Sequence, residues 1–162
     1  MSNLSFYVHI PYCVKRCGYC DFNTYTPAEL RDGGTLEGVS EGFIDSLIAE
    51  VTFAARTQTT TIPTIFFGGG TPSLMPAKDL GRVIDLLKQR WEFAPNIEVT
   101  MECNPDTLTL QSLEEYRAIG INRISMGMQS ANTNVLKVLD RTHNPENVAK
   151  SVDNARKSGF DN

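Results

Sequence analysis

Runs with strand character alternate with runs of helical spacing along nearly the whole chain, and this alternation constrains the fold more than any other feature. Residues 5–10 set Phe6, Val8 and Ile10 on one face and Tyr7 and His9 on the other, and Pro11, lacking an N–H, ends the ladder. A Gly-rich polar loop around residues 31–42 leads into a helix for which Ser40 supplies the cap. Its apolar stripe is Phe43, Ile44, Leu47, Ile48 and Val51, and it is expected to run to about Arg56. Residues 64–67 form a second strand ending in three glycines, and Pro76 suits the first turn of a helix carrying Leu80, Val83, Ile84, Leu87 and Trp91. A third strand spans 97–102, with a helix over 110–119 set between Thr109 and Gly120. A fourth spans 123–129, followed by a short helix near 134–139 and another opened by Asn144 and Pro145 and closed by Gly159. Four βα units in series predict an α/β fold with a parallel sheet.

The last residues extend the series. Ser158-Gly159-Phe160-Asp161-Asn162 repeats the phrasing of Ile119-Gly120-Ile121-Asn122-Arg123, which leads into the fourth strand, so a fifth strand is expected where the sequence stops. A closed barrel of eight such units needs roughly 250 residues. A chain of 162 residues is therefore expected to form the first four units of an incomplete, partial TIM-type barrel rather than a complete small open sheet. The fourth strand is then expected to carry a bare edge, which invites a dimer. With 41% hydrophobic residues the chain can bury one core, and its net charge of -4 argues against a general attraction to nucleic acid or an anionic membrane. No run of eighteen apolar residues offers a transmembrane segment, and the N-terminus lacks the basic start and apolar run of a signal peptide. The expected compartment is the cytoplasm, where thiols stay free or bind metal.

Active sites of parallel α/β folds gather at the C-terminal ends of the strands. Cys13, Cys17 and Cys20 follow the first strand, Gly68, Gly69, Gly70 and Thr71 the second, and Glu102 and Gln129 end the third and fourth. Three thiolates in one tight loop can hold three irons of a cubane cluster and leave the fourth iron for an external ligand. Lys15 and Arg16, between the first two cysteines, are placed to lower thiol pKa values and offset cluster charge. Zinc is the alternative: a Cys3His site would recruit His9 or His143. Cys103 beside Glu102 reads as a small core or loop thiol, and Met126 and Met128 as core. The glycine turn does not match the phosphate-binding pattern GxxxxGK[ST].

The segments YVHIPYC, CGYCDF, FFGGGTPSL, MECNPDTL, ISMGMQS and LDRTHN, spread over residues 6–144, resemble the radical S-adenosylmethionine (SAM) superfamily. The nearest branch is the coproporphyrinogen dehydrogenase-like one. Oxygen-independent coproporphyrinogen oxidases of that branch carry a further cysteine two positions after the third ligand; Phe22 stands there, so the chain resembles the HemW haem chaperone group.

The resemblance implies an N-terminal part of a radical SAM domain over residues 1–162, with Cys13, Cys17 and Cys20 binding a [4Fe-4S] cluster whose open iron chelates SAM. It implies Tyr7 beside cluster and SAM, Tyr19 near the adenine, and Gly69, Gly70 and Thr71 along the methionyl end. It also implies Glu102, Gln129 and Arg141 on the remaining polar parts of SAM. Arg141 also reads as a helix-end cation, Gln129 as a loop residue, and Tyr7 and His9 as barrel fillers. In the full-length protein the resemblance implies haem as cargo, haem-acceptor proteins as partners and a reductant for the cluster. A radical SAM oxidase acting on a tetrapyrrole and a structural metal-binding module stand as the other two readings.

Overall fold

The computed structural model describes residues 4–30, 36–55, 60–141 and 143–162, with the side chains of 36–41 outside that description. Strands β1 (Phe6–Ile10), β2 (Thr61–Gly69), β3 (Glu92–Cys103) and β4 (Arg123–Met126) form a parallel sheet in the order β1-β2-β3-β4. Helices α1 (Leu36–Ala54), α2 (Ala77–Arg90), α3 (Leu110–Ala118), α4 (Thr133–Val138) and α5 (Pro145–Lys157) alternate with the strands or follow the last. Because every strand runs the same way, the loops after all four open at one rim.

The period-two pattern decides which face is dry. Val8, Ile10, Ile65, Phe67, Val99 and Met101 are buried in one cluster with Ile44 and Val51 of α1 and Leu80, Val83 and Leu87 of α2. On the other face register places Thr100 opposite Arg123 and Glu102 opposite Ser125, and Arg123 bonds both Glu98 and Thr100. Trp91 caps the C-terminus of α2 rather than continuing it, and its buried ring meets Phe6 edge-on at 4.9 Å.

Several boundaries differ from those expected. α1 begins at Leu36, so Ser40 lies inside the helix and does not cap it; the spacing of Leu36, Val39 and Phe43 extends the apolar period past Gly38 and Gly42. Its expected end at Arg56 falls outside the described residues. β2 and β3 are longer than expected because their ladder resumes after a register shift between Ile62 and Thr64, where Pro63 cannot donate. β4 stops at Met126: bonds from Met128 N to Met126 O (3.0 Å) and from Ser130 N to Met128 O (2.7 Å) curl the chain, and Gln129 adopts φ 59°. Met128 is consequently 40% exposed and not core, whereas Met126 packs against the core.

The repeat between residues 119 and 162 is structural. Gly120 and Gly159 both have positive φ, at 101° and 84°, and each closes its helix with the same pair of bonds: Gly120 N to Arg117 O and Ile121 N to Tyr116 O, Gly159 N to Arg156 O and Phe160 N to Ala155 O. Ile121 and Phe160 are buried equivalently. Asn162 O accepts from Ile124 N at 3.1 Å, so the expectation of a bare β4 edge is corrected at that position.

Candidate functional site

The C-terminal rim of the sheet surrounds a cavity of about 380 Å³. Pro11 ends β1, and the following loop is tied down by backbone bonds from Tyr25 N to Pro11 O (2.6 Å) and from Cys13 N to Tyr25 O (3.0 Å). The glycine turn braces it from the other side: Gly70 N donates to Ile10 O and Thr71 N to Tyr12 O, both at 2.7 Å. A Cβ built on Gly70 would stand 2.5 Å from Tyr12 O, which is why glycine is required. Gly69, at φ 108°, would bring a Cβ to 2.6 Å from the His9 ring.

Cys13, Cys17 and Cys20 all line this cavity, with Tyr19, Gly69, Gly70, Thr71, Glu102, Gln129 and Arg141. Ten of the eleven residues expected at the site thus share one wall system drawn from four strand ends and the segment after α4. Tyr7 does not line it; it stands behind Gly68, whose added Cβ would be 3.0 Å from both the Tyr7 ring and the Glu102 carboxylate. Burial, then the charge of Glu102, pushes the Tyr7 hydroxyl above its ordinary pKa. Burial also raises that of Tyr19, opposed by the nearby Arg141 cation.

The thiols are free. Burial pushes the Cys13 thiol up, with hydrogen bonds involving the Thr71 and Thr24 hydroxyls partly offsetting it; Thr71 Oγ1 lies 3.8 Å from Cys13 Sγ. The cation held at a thiol is Arg141, whose Nη1 donates to Cys17 Sγ at 3.2 Å. That corrects the expectation for Lys15 and Arg16. Lys15 pairs with Asp140, and Arg16 bonds Glu29 and the hydroxyl and carbonyl of Thr24, so among the described residues neither is hydrogen-bonded to a sulfur. Arg141 follows the end of α4, but its guanidinium bonds the carbonyl of Gly127, at 2.8 Å, outside that helix.

Glu102 Oε2 accepts from Gly69 N at 3.2 Å, which fixes the carboxylate at the rim while leaving Oε1 for another donor. Among the described residues no three His, Cys, Asp or Glu side chains are grouped to hold a single metal ion. Neither histidine completes a Cys3His set: His9 is held by Tyr7 and by Asn23 O, and His143 by Arg141. Burial pushes the Cys103 thiol up to about 12, in keeping with a core thiol.

Sequence reasoning missed Asn104, Ser125 and Asp140, which also line the cavity. Ser125 was accessible through the pleat, since it sits opposite Glu102. Asp140 was not, because its place depends on a left-handed φ of 55° in a non-glycine residue.

The profile of the radical SAM superfamily matches residues 7–162. The chain belongs to the radical SAM superfamily. This radical SAM chain is 41% identical over 156 residues to heme chaperone HemW of Mycobacterium tuberculosis strain H37Rv, covering 95% of the chain and 38% of that relative. It is 36% identical to heme chaperone HemW of Escherichia coli K12, over 92% of the chain and 38% of that relative. Among solved structures it resembles coproporphyrinogen III oxidase (HemN) of Escherichia coli, described as a radical SAM enzyme, with TM-score 0.83 and 30% identity over 97% of the chain and 35% of that structure. The four parallel units are thus part of a radical SAM barrel fold. The chain spans under two-fifths of the length of these relatives. Among the described residues no helix is long and apolar enough to cross a membrane.

Proposed function

We propose that this radical SAM chain is the cluster- and SAM-binding portion of a HemW-like haem chaperone that passes haem to acceptor proteins in the cytoplasm. The observation that carries the reading is the convergence of three thiols and seven other expected contact residues, from four strand ends and the segment after α4, on one cavity. The donor set fits a [4Fe-4S] cluster: Cys13, Cys17 and Cys20 would hold it, and three thiolates leave one iron for an outside ligand. When bound and reduced by an external reductant, such a cluster supplies one electron to the sulfonium of SAM.

The chain's own residues bind and orient. Glu102, already anchored on Gly69 N, presents a carboxylate for the ligand's cationic groups. Gln129 offers an amide donor and acceptor, and Arg141 offers further N–H groups to a carboxylate. Tyr19 and the Gly69–Gly70 backbone supply an aromatic flank and a surface without side chains for close approach.

Phe22 supports the chaperone reading over an oxidase. It lines the cavity, 62% exposed, where the resemblance places a cysteine in oxygen-independent coproporphyrinogen oxidases. The oxidase remains a second reading because HemN is a structural match; deoxyadenosine formation coupled to decarboxylation of a porphyrinogen would establish it. A structural metal module is the third, and zinc without iron after anaerobic purification would favour it. Anaerobic reconstitution of the protein is expected to give about four irons per chain, with most of that iron lost in Cys17→Ala. Unchanged iron in the variant refutes the cluster assignment.

A further inference from the structure

We propose that His143 is a positioning residue for Arg141, holding its guanidinium against the cysteine loop and the end of β4. The inference rests on the reading of the cavity as the cluster and SAM site.

The backbone of Arg141 is fixed first. Asp140, at φ 55°, ends α4 with bonds from Asp140 N to Lys137 O (3.1 Å) and from Arg141 N to Leu136 O (2.9 Å). Several rotatable bonds still separate that backbone from the guanidinium, and three contacts lock them. Nη1 reaches Cys17 Sγ at 3.2 Å, Nη2 reaches Gly127 O at 2.8 Å, and Nε reaches His143 Nδ1 at 3.3 Å. A guanidinium only donates, so Nδ1 must carry the lone pair and the ring is neutral with its proton on Nε2. His143 is 4% exposed, and among the described residues its buried Nε2 has no hydrogen-bond partner.

That unpaired nitrogen is the informative part. An apolar side chain of similar volume would fill the space without burying an orphan N–H, so packing does not account for a histidine. An acceptor aimed at Nε of Arg141 does. It fixes the plane in which the remaining N–H groups of Nη1 and Nη2 are presented, and it keeps the cation at Cys17 rather than in solvent.

The test compares His143→Asn, which retains an acceptor near the Nδ1 position, with His143→Leu, each alone and with Arg141→Ala. Without cofactor, nitrogen NMR of the wild type should show the His143 proton on Nε2; a proton on Nδ1 overturns the proposal with no variant needed. In folded His143→Leu, the guanidinium protons of Arg141 should exchange faster with solvent, and after anaerobic reconstitution SAM should bind about tenfold more weakly. His143→Asn should stay within about threefold of wild type, and His143→Leu should add nothing once Arg141 is alanine. Equal losses in the Leu and Asn variants, or a full loss persisting beside Arg141→Ala, assign the histidine to packing and overturn the proposal. If wild-type protein takes up neither iron nor SAM, the functional reading falls while the tautomer and guanidinium-exchange results still decide the role of His143.

Discussion

The glycine turn after β2 and the cysteine loop after β1 line one cavity side by side, yet they are held by different means. The turn is held by backbone: Gly70 N bonds the carbonyl of Ile10 at the end of β1 and Thr71 N that of Tyr12 in the loop, both at 2.7 Å, and there is no room for a Cβ at Gly70. The outer part of the cysteine loop is held mainly by side chains and caps from far along the chain. Gly18 N donates to Leu139 O at 3.2 Å, Lys15 pairs with Asp140, and Arg141 reaches Cys17. A framework made of backbone contacts has no alternative arrangement nearby, whereas a loop held by long side chains can yield locally. The proposed cluster would therefore be built on the adaptable element, against a wall that cannot give way.

The largest expected effect comes from breaking the rigid side. In Gly70→Ala the new Cβ would sit 2.5 Å from Tyr12 O, 2.9 Å from Tyr12 C and 3.0 Å from Ile10 O, all backbone atoms with no rotamer to change. The variant should lose about 3 kcal/mol by urea unfolding, at the upper end for overpacking. A loss below about 1 kcal/mol would show that the turn yields as readily as the loop and would remove the contrast.

What was legible in the sequence follows the same division. Period-two and helical spacing report burial, so four strands, their helices and the convergence of Cys13, Gly69, Glu102 and Gln129 at one rim were readable from pattern alone. Contacts that depend on left-handed backbone were not. Asp140 at φ 55° turns the chain so that Arg141 meets Cys17, and no periodicity encodes that turn. The same cause ended β4 early: turns of i to i−2 type remove Met128 from the core, although its alternation with Met126 continues in the sequence. Lys15 and Arg16 misled because adjacency in sequence is not adjacency of side chains in a loop.

A second, smaller contrast lies between thiols. Cys103, at the end of β3, is buried and pushed up to about 12, from an ordinary thiol value of 9.0, while Cys17 and Cys20 are only half-buried. Under mild alkylation of folded protein at pH 8, Cys17 and Cys20 should react and Cys103 should not. The sign of the pH effect follows from the raised value. Below about pH 9 the thiol is protonated in both folded and unfolded chains, and its contribution is complete. Between about 9 and 12 the unfolded chain releases a proton that the folded chain keeps, so stability falls with rising pH through that window. Burial raises the Tyr116 hydroxyl too, which acts in the same direction. Urea unfolding in Cys103→Ala should show a shallower alkaline decline than wild type; an unchanged slope would mean Cys103 is not part of the rigid framework.

The smallest effect should come from the loop's own fastening. Lys15 and Asp140 form an ion pair at 2.5 Å, but their side chains are 50% and 52% exposed. Solvent screens such a pair, and holding two flexible side chains together costs entropy, so Lys15→Ala should change unfolding stability by no more than about 0.5 kcal/mol. Its effect should appear in the loop instead: faster alkylation of Cys17, with salt producing the same quickening in the wild type. Gly18 N would still hold Leu139 O and Arg141 would still reach Cys17, so the quickening should stay small. If Lys15→Ala instead matched Gly70→Ala in lost stability, the cysteine loop would be part of the framework and not an adaptable element laid against it.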